Sequence, residues 1–265
     1  MKINKLIIIL FLVFPLFFSR CEKEKPDPCS ILVDGVFVYP NYPEDGWKSD
    51  NIWEEQRKYF AIPDDVLSCI STEGLIQSIL NHPNYKVLLF VHNTWQEGFD
   101  RVYKECNGLP ELAQRNDAPS LLISRYQEMN PLNLINYSDT FESAEFRFEF
   151  WYLEIIMAQP FIYTRLSGDE KSFFFGMILD AYEKKLEIDP IYGVSWGELN
   201  LGILARIMDH DKYHLFIDEY ESCSLLEYFI QTLFLAYNND CIPHEIIYFH
   251  SKEYLKTLKK YKNEN

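Results

Sequence analysis

The sequence predicts a mainly α-helical protein, a multilayer helical bundle or irregular α-solenoid with at most a small β-hairpin near its N-terminus. Three observations lead there. Of 265 residues, 48% are hydrophobic and 25% charged, a balance that builds a folded core and is unlike disordered or collagen-like chains. Helix-opening and helix-closing residues recur from about residue 50 to the end. Segment 139–158 carries apolar residues on two opposite helical faces, as a helix held between two layers must.

Taken in order, the chain opens with Lys2 and Lys5, then an apolar run from Leu6 to Phe18 that contains Pro15. That run is shorter than the roughly 20 residues a membrane-spanning helix needs and matches the apolar region of a secretory signal. No Ala-x-Ala site follows it. Phe18-Ser19-Arg20-Cys21 resembles a degenerate lipobox, in which Ser19 fits and Arg20 departs from the pattern. Residues 1–20 are therefore expected to be a lipoprotein signal peptide and Cys21 the lipidated residue that reaches the membrane. A secreted chain, or an uncleaved anchor, with an incidental cysteine is the alternative. Residues 21–30, beginning Glu22-Lys23-Glu24-Lys25-Pro26, have nothing to bury and read as a solvated tether. Acids directly behind such a cysteine resemble the export signals of Bacteroidetes lipoproteins, which implies the outer membrane and its surface.

The rest, 31–265, is expected to form a single domain. Ile31 to Tyr39 leans toward β structure and is broken by Asp34-Gly35, a hairpin signal. Tyr39 to Trp47 is a turn-rich aromatic loop. Capping boxes, in which a Ser or Thr and a Glu three residues on satisfy the first free amides, open helices at Thr94/Glu97, Ser167/Glu170 and Ser195/Glu198. His82-Pro83, Asn107-Gly108, Asn130-Pro131, Gln159-Pro160 and Asp189-Pro190 close others. The marks place helices at 51–60, 63–69, 72–81, 94–106, 110–116, 119–129, 139–158, 169–187, 196–209, 223–238 and 243–261. In 139–158, Phe141, Phe148, Tyr152, Ile155 and Ile156 face one way, and Phe146, Phe150, Leu153 and Met157 the other. Glu142, Glu145 and Glu149 form one charged ribbon between those faces and Arg147 with Glu154 the second. Segment 169–187 shows one apolar stripe, Phe175, Leu179, Tyr182 and Leu186, and is expected on the outside.

Ile62-Pro63-Asp64-Asp65-Val66-Leu67, Ser71-Thr72-Glu73-Gly74-Leu75, Asn81-His82-Pro83, Gln96-Glu97-Gly98-Phe99 and Asn107-Gly108-Leu109-Pro110-Glu111-Leu112 resemble a group of uncharacterised Bacteroidetes lipoproteins. The resemblance covers about residues 50–130. Its motifs are helix boundaries and packing residues, so it implies origin and fold and transfers no catalytic residue.

Forty acidic against 25 basic residues give a net charge of −15, which excludes a broad nucleic-acid footprint. Without residues 1–20, which hold three basic residues and no acid, 22 basic and 40 acidic residues leave −18. Behind Cys21 stand Cys29, Cys69, Cys106, Cys223 and Cys241, an odd number, so at least one is unpaired or intermolecular and no disulfide framework is implied. Cys223 and Cys241 bracket a helical pattern that would hold them roughly 20 Å apart, beyond the about 7 Å a disulfide tolerates.

No cofactor, metal or catalytic residue is expected. Gly193-Val194-Ser195-Trp196-Gly197 has the form of a nucleophile elbow, with Asp218 or Asp240 and His244 in hydrolase order, but no strand precedes it to strain the turn. Ser195 reads better as a helix cap. His210 and His214 have chelating spacing but fall at a helix end. Glu54-Glu55 and Asp64-Asp65 sit at helix starts, where acids answer the dipole. Lys252, Lys256, Lys259, Lys260 and Lys262 make a basic face near the C-terminus. Exposed aromatics at Tyr39, Tyr42 and Trp47, with Trp53 nearby, are the candidate ligand-binding residues, set against the reading that they pin the N-terminal segment to the helices. The leading expectation is a non-catalytic envelope lipoprotein that binds a protein partner. A glycan- or ligand-binding module using Tyr42 and Trp47 is second, and a serine hydrolase at Ser195 third.

Overall fold

Caps and turns place most helices within one or two residues of their expected bounds. The computed structural model describes residues 27–138, 140–188, 196–220, 222–236 and 241–264, is about 70% helical, and contains no strand among the described residues. The expected signal peptide, Cys21 and the first part of the expected tether lie outside them. In chain order the helices are α1 (Ile52–Tyr59), α2 (Asp64–Cys69), α3 (Thr72–Leu80), α4 (Tyr85–Phe90), α5 (Trp95–Glu105), α6 (Gly108–Leu112) and α7 (Ala118–Gln127). They continue with α8 (Thr140–Met157), α9 (Pro160–Tyr163), α10 (Gly168–Ile188), α11 (Glu198–His210), α12 (His214–Ile217), α13 (Ser224–Thr232) and α14 (Pro243–Glu264). The sequence reading lacks α4, six residues and too short to show a helical period, and α9 and α12, each only four residues long.

The cap chemistry is local and visible. Thr94 Oγ1 accepts the Glu97 amide at 3.2 Å, and Ser167 and Glu170 satisfy each other's amides in both directions at 3.4 and 3.0 Å. The expected hairpin shrinks to one bridge: Val33 and Val36 exchange two hydrogen bonds across a turn with φ 50° at Asp34 and 79° at Gly35. It extends no further because the next amide, Phe37, donates to Ser78 Oγ on α3 at 2.9 Å instead of to a second strand. Gly74 on α3 lets the turn dock, since a Cβ there would strike the Gly35 carbonyl.

One cluster of buried side chains runs from Phe37 to Tyr254. Its axis is α11, in which every residue from Leu199 to Met208 is buried, packed against α8, α10, α13 and α14. The second half of α8 is buried on both expected faces, while Phe141 in the first half is 72% exposed. Two expectations are corrected. Glu154 is not on a charged ribbon but fully buried, and α10 is not a one-stripe outer helix. Phe174, Ile178, Ala181 and Lys185 are buried as well, because α11 and α14 pack on α10 and claim a wider arc than its apolar stripe.

Helix 223–238 is also corrected. It stops at Thr232, where Leu233 takes a left-handed conformation, φ 56°, and reverses the chain. Gly202 makes room for that turn, since a Cβ there would run into the Leu233 side chain. The reversal brings Cys241 back to Cys223, with Cα atoms 5.4 Å apart, and the two form a disulfide. A second disulfide joins Cys29 to Cys69, so there is a framework, and Cys106 is the buried free thiol.

Three arginines tie the short helices together by meeting carbonyls that helix ends leave bare. Arg206 bonds Ala158 O after α8 and Ile230 O and Gln231 O in the last turn of α13, at 2.9, 2.8 and 3.1 Å. Arg115 bonds Leu67 O and Ile70 O at the end of α2, and Arg165 bonds Ala113 O and Arg115 O beyond α6.

Candidate functional site

Of the three aromatics expected to bind a ligand, Tyr39 and Trp47 are drawn into a ring cluster about Phe60, itself 1% exposed, and Tyr42 stays half exposed. The Tyr42 hydroxyl donates to Asn84 Oδ1 at 2.8 Å, and that of Tyr59 donates to Asn41 O at 2.9 Å. These bonds pin the loop to α1 and to the start of α4. What remains open is a hollow of about 320 Å³ lined by Trp47, Tyr59, Glu44, Asp45, Lys48 and Glu55. Trp53 stands apart, its ring under Arg101 at 5.4 Å.

Beneath the loop, the Tyr39 hydroxyl and His82 Nε2 are buried without hydrogen-bond partners among the described residues, and the two rings are 5.0 Å apart. Burial pushes the Tyr39 hydroxyl far up and holds the His82 imidazole down at about 4. Folded His82 is thus neutral, while the unfolded chain titrates it near 6.5. As pH falls from about 6.5 to about 4 the unfolded state takes up a proton that the folded state refuses, so stability drops by up to about 3 kcal/mol. His82→Gln should flatten that part of the profile in urea unfolding. An equal stability difference between parent and variant at pH 7 and pH 4.5 would contradict it.

A second aromatic surface has no counterpart in the sequence reading. Phe90 at the end of α4 meets Trp95 at 5.3 Å, Phe148 at 5.1 Å and Trp151 at 6.0 Å, and Trp95 meets Trp151 at 5.2 Å. Gly98 permits this, because a Cβ there would strike the Leu89 backbone and hold α5 away from α4. Phe90 is 43% exposed, and Val87 and Val91, three and one residues from it on the same edge, are 54% and 61% exposed. Both indole N–H groups point inward: Trp95 donates to Glu198 Oε2 at 2.9 Å and Trp151 to Trp196 O at 3.0 Å. Glu198 also accepts the Leu235 amide, and burial raises its pKa. The two indoles are therefore held to the core by their polar ends and are partly buried, while Phe90, Val87 and Val91 carry the exposed apolar surface, the arrangement of interface anchors. Periodicity could not reveal it, because its residues come from three helices up to 61 positions apart, Phe90 to Trp151.

The deepest polar group is also unforeseen. Lys185 Nζ lies 2.6 Å from Glu154 Oε1 and 2.7 Å from Asn200 Oδ1, and Asn200 Nδ2 donates to Glu154 Oε1 at 2.9 Å. Tyr126 donates its hydroxyl to the same carboxylate oxygen and accepts from Asn200 Nδ2 at 2.9 Å. All four are buried, and Phe150 and Trp196 present ring faces to Nζ at 4.9 and 5.1 Å. Burial lowers the Lys185 pKa against the pull of Glu154 and raises that of Tyr126.

The remaining candidates do not assemble. Gly193 to Ser195 and Asp240 lie outside the described residues, while Asp218 is in a 3-10 turn and His244 in the first turn of α14. His210 ends α11 and His214 opens α12, with Lys212 at φ 51° turning the chain between them. No three His, Cys, Asp or Glu side chains come together as metal ligands among the described residues. Glu54 pairs with Lys58, and Glu55 accepts the amides of Lys48 and Ser49. Asp64 and Asp65 open α2, where Asp65 accepts the Val66 amide. In the basic face, Lys252 pairs with Glu183 and Lys256 with Glu253, Lys259 and Lys260 are exposed, and the side chain of Lys262 lies outside the description. Comparison with protein-family models, curated proteins and solved structures finds no match to this chain.

Proposed function

We propose that this is a non-catalytic cell-envelope lipoprotein, anchored by lipid on Cys21, whose helical domain docks a protein partner through the platform of Phe90, Trp95, Phe148 and Trp151. The observation that carries the partner reading is the aromatic cluster, anchored through two indole hydrogen bonds and exposed at Phe90, with exposed Val87 and Val91 beside it. Such clusters supply contact area with little entropy left to lose. Export is supported by the signal-like N-terminus and by two disulfides, which persist in oxidising compartments.

The test is a photo-crosslinking side chain placed at Val91 of the full chain in intact cells. One discrete crosslinked protein is expected, reduced at least about tenfold by Phe90→Asp while the melting temperature of that surface variant holds. A crosslink pattern indifferent to Phe90→Asp would sink the docking reading, and lipid still carried by Cys21→Ser would sink the anchor.

The hollow beside Trp47 and Tyr59 favours a second reading, a glycan-binding module that also uses Tyr42. There Trp47→Ala should abolish glycan-array binding, and binding unchanged by it would remove that reading.

A further inference from the structure

We propose that the side chains of Lys185 and Asn200 become joined by an intramolecular amide bond that forms in the folded core, with Glu154 as the proton carrier. Amide exchange between a lysine and an asparagine needs an amine able to lose its proton, a carboxamide in contact with it, and an acid–base group that touches both nitrogens. The centre at α8, α10 and α11 supplies all three. Lys185 has no exposed surface, and the faces of Phe150 and Trp196, with the Trp196 carbonyl 3.3 Å from Nζ, stand where water would otherwise hold its charge. Its Nζ is 2.7 Å from Asn200 Oδ1, so the amide carbon Cγ is one covalent bond farther on. Glu154 Oε1 is within hydrogen-bond reach of both the attacking nitrogen, at 2.6 Å, and the leaving nitrogen, Asn200 Nδ2, at 2.9 Å.

An ion pair serving stability alone would be expected to satisfy both carboxylate oxygens. Here three donors converge on Oε1, from Lys185, Asn200 and Tyr126, while Oε2 is buried with no partner among the described residues. Oε1, in reach of both nitrogens, passes the protons, and Oε2, which no donor occupies, is left to carry the proton that Glu154 keeps in the product. The step balances. Lys185 gives one proton to Glu154, and the neutral Nζ attacks Cγ as the C–N bond forms. A second Nζ proton passes through the carboxyl group to Nδ2, the Cγ–Nδ2 bond breaks, and ammonia leaves. The third proton remains on the new amide nitrogen. The products are a secondary amide, ammonia and a protonated, neutral Glu154, so a buried charge pair is replaced by uncharged groups. No oxidant or cofactor enters. The fold does the catalytic work by holding the partners at contact, which replaces an improbable encounter in water. The bond links residues 15 positions apart and ties α10 to α11.

Tryptic mapping of the full chain after reduction and alkylation tests this. Trypsin cuts after Lys184, Lys185 and Arg206 in this region. An acylated Lys185 resists cleavage, so the expected product is one peptide, 185–206, lighter than its sequence mass by one ammonia and lacking backbone fragment ions between residues 185 and 200. Ring closure of Asn200 onto its own backbone also loses ammonia, but it leaves Lys185 cleavable. Recovery of peptide 186–206 at its sequence mass would overturn the proposal. Glu154→Gln is expected to fold, by circular dichroism, and to yield the unlinked peptide; a folded variant that still links would overturn the role of Glu154. If Glu154→Gln does not fold, Glu154→Asp, which keeps the acid one methylene shorter, should slow linkage at least about tenfold, and linkage at the parental rate would overturn that role equally.

Discussion

Relative to the unlinked parent, in which Lys185 and Glu154 are still an ion pair, replacing Lys185 with Met is expected to lower the stability of the folded chain by about 3–5 kcal/mol, the range for removing one partner of a buried ion pair. The magnitude follows from where Glu154 sits. It has no exposed surface, and its neighbours Phe150 and Trp196 are aromatic. Without the ammonium, the carboxylate must stay charged in a medium that solvates it poorly or take up a proton at neutral pH. Tyr126 and Asn200 still donate to it, but neither carries a compensating charge. Adding Glu154→Leu to Lys185→Met should restore part of the loss, because an apolar side chain removes the stranded charge. Guanidinium unfolding at pH 7 reads both effects. A Lys185→Met chain within about 1 kcal/mol of the parent would show that the centre is not electrostatically costly to break.

Reduction of the two disulfides is expected to destabilise the protein further still. Cys29 and Cys69 are 40 residues apart, and in the chain-entropy account closing a loop of that size contributes about 4 kcal/mol. Cys223 and Cys241 are 18 apart, for about 3 kcal/mol. The first fastens the segment ahead of α1 to the end of α2. The second fastens the chain behind the Leu233 reversal to the start of α13. Their combined loss is comparable with the whole net stability of an ordinary domain, about 5–15 kcal/mol. A phosphine reductant should lower the melting temperature by roughly 15 °C or more. A shift under about 2 °C would mean that neither bond constrains the unfolded chain. Cys29→Ser with Cys69→Ser, which leaves Cys223–Cys241 intact, should account for the larger share.

Most helix positions were legible because their causes are local. Thr94 and Ser167 cap by reaching amides three residues away, a geometry the sequence displays directly. The second half of α8 was legible for the same reason, since two apolar faces at helical spacing demand two neighbours. What was not legible depends on partners distant in the chain. Glu154 and Arg147 look alike as charged residues between apolar faces, yet only Glu154 meets a buried lysine 31 positions away. The ring cluster at Phe60 was half legible: the aromatics of 39–47 were visible, but whether they face ligand or helix depends on Phe60 and His82. Cys223 and Cys241 misled because apolar spacing alone continues a helix that Leu233 ends in a left-handed turn.

By itself the sequence determined the mainly α class, the order of the principal helices and most of their boundaries. Only the tertiary structure decided the disulfide pairs, the platform at Phe90 and Trp151, and the enclosed Lys185–Glu154–Asn200–Tyr126 centre. The physical reason is range. Capping and amphipathic spacing act within one or two turns and are written in consecutive residues. A buried charge or a ring cluster exists only where helices remote in the chain converge, and each residue in it has an ordinary reading when taken alone.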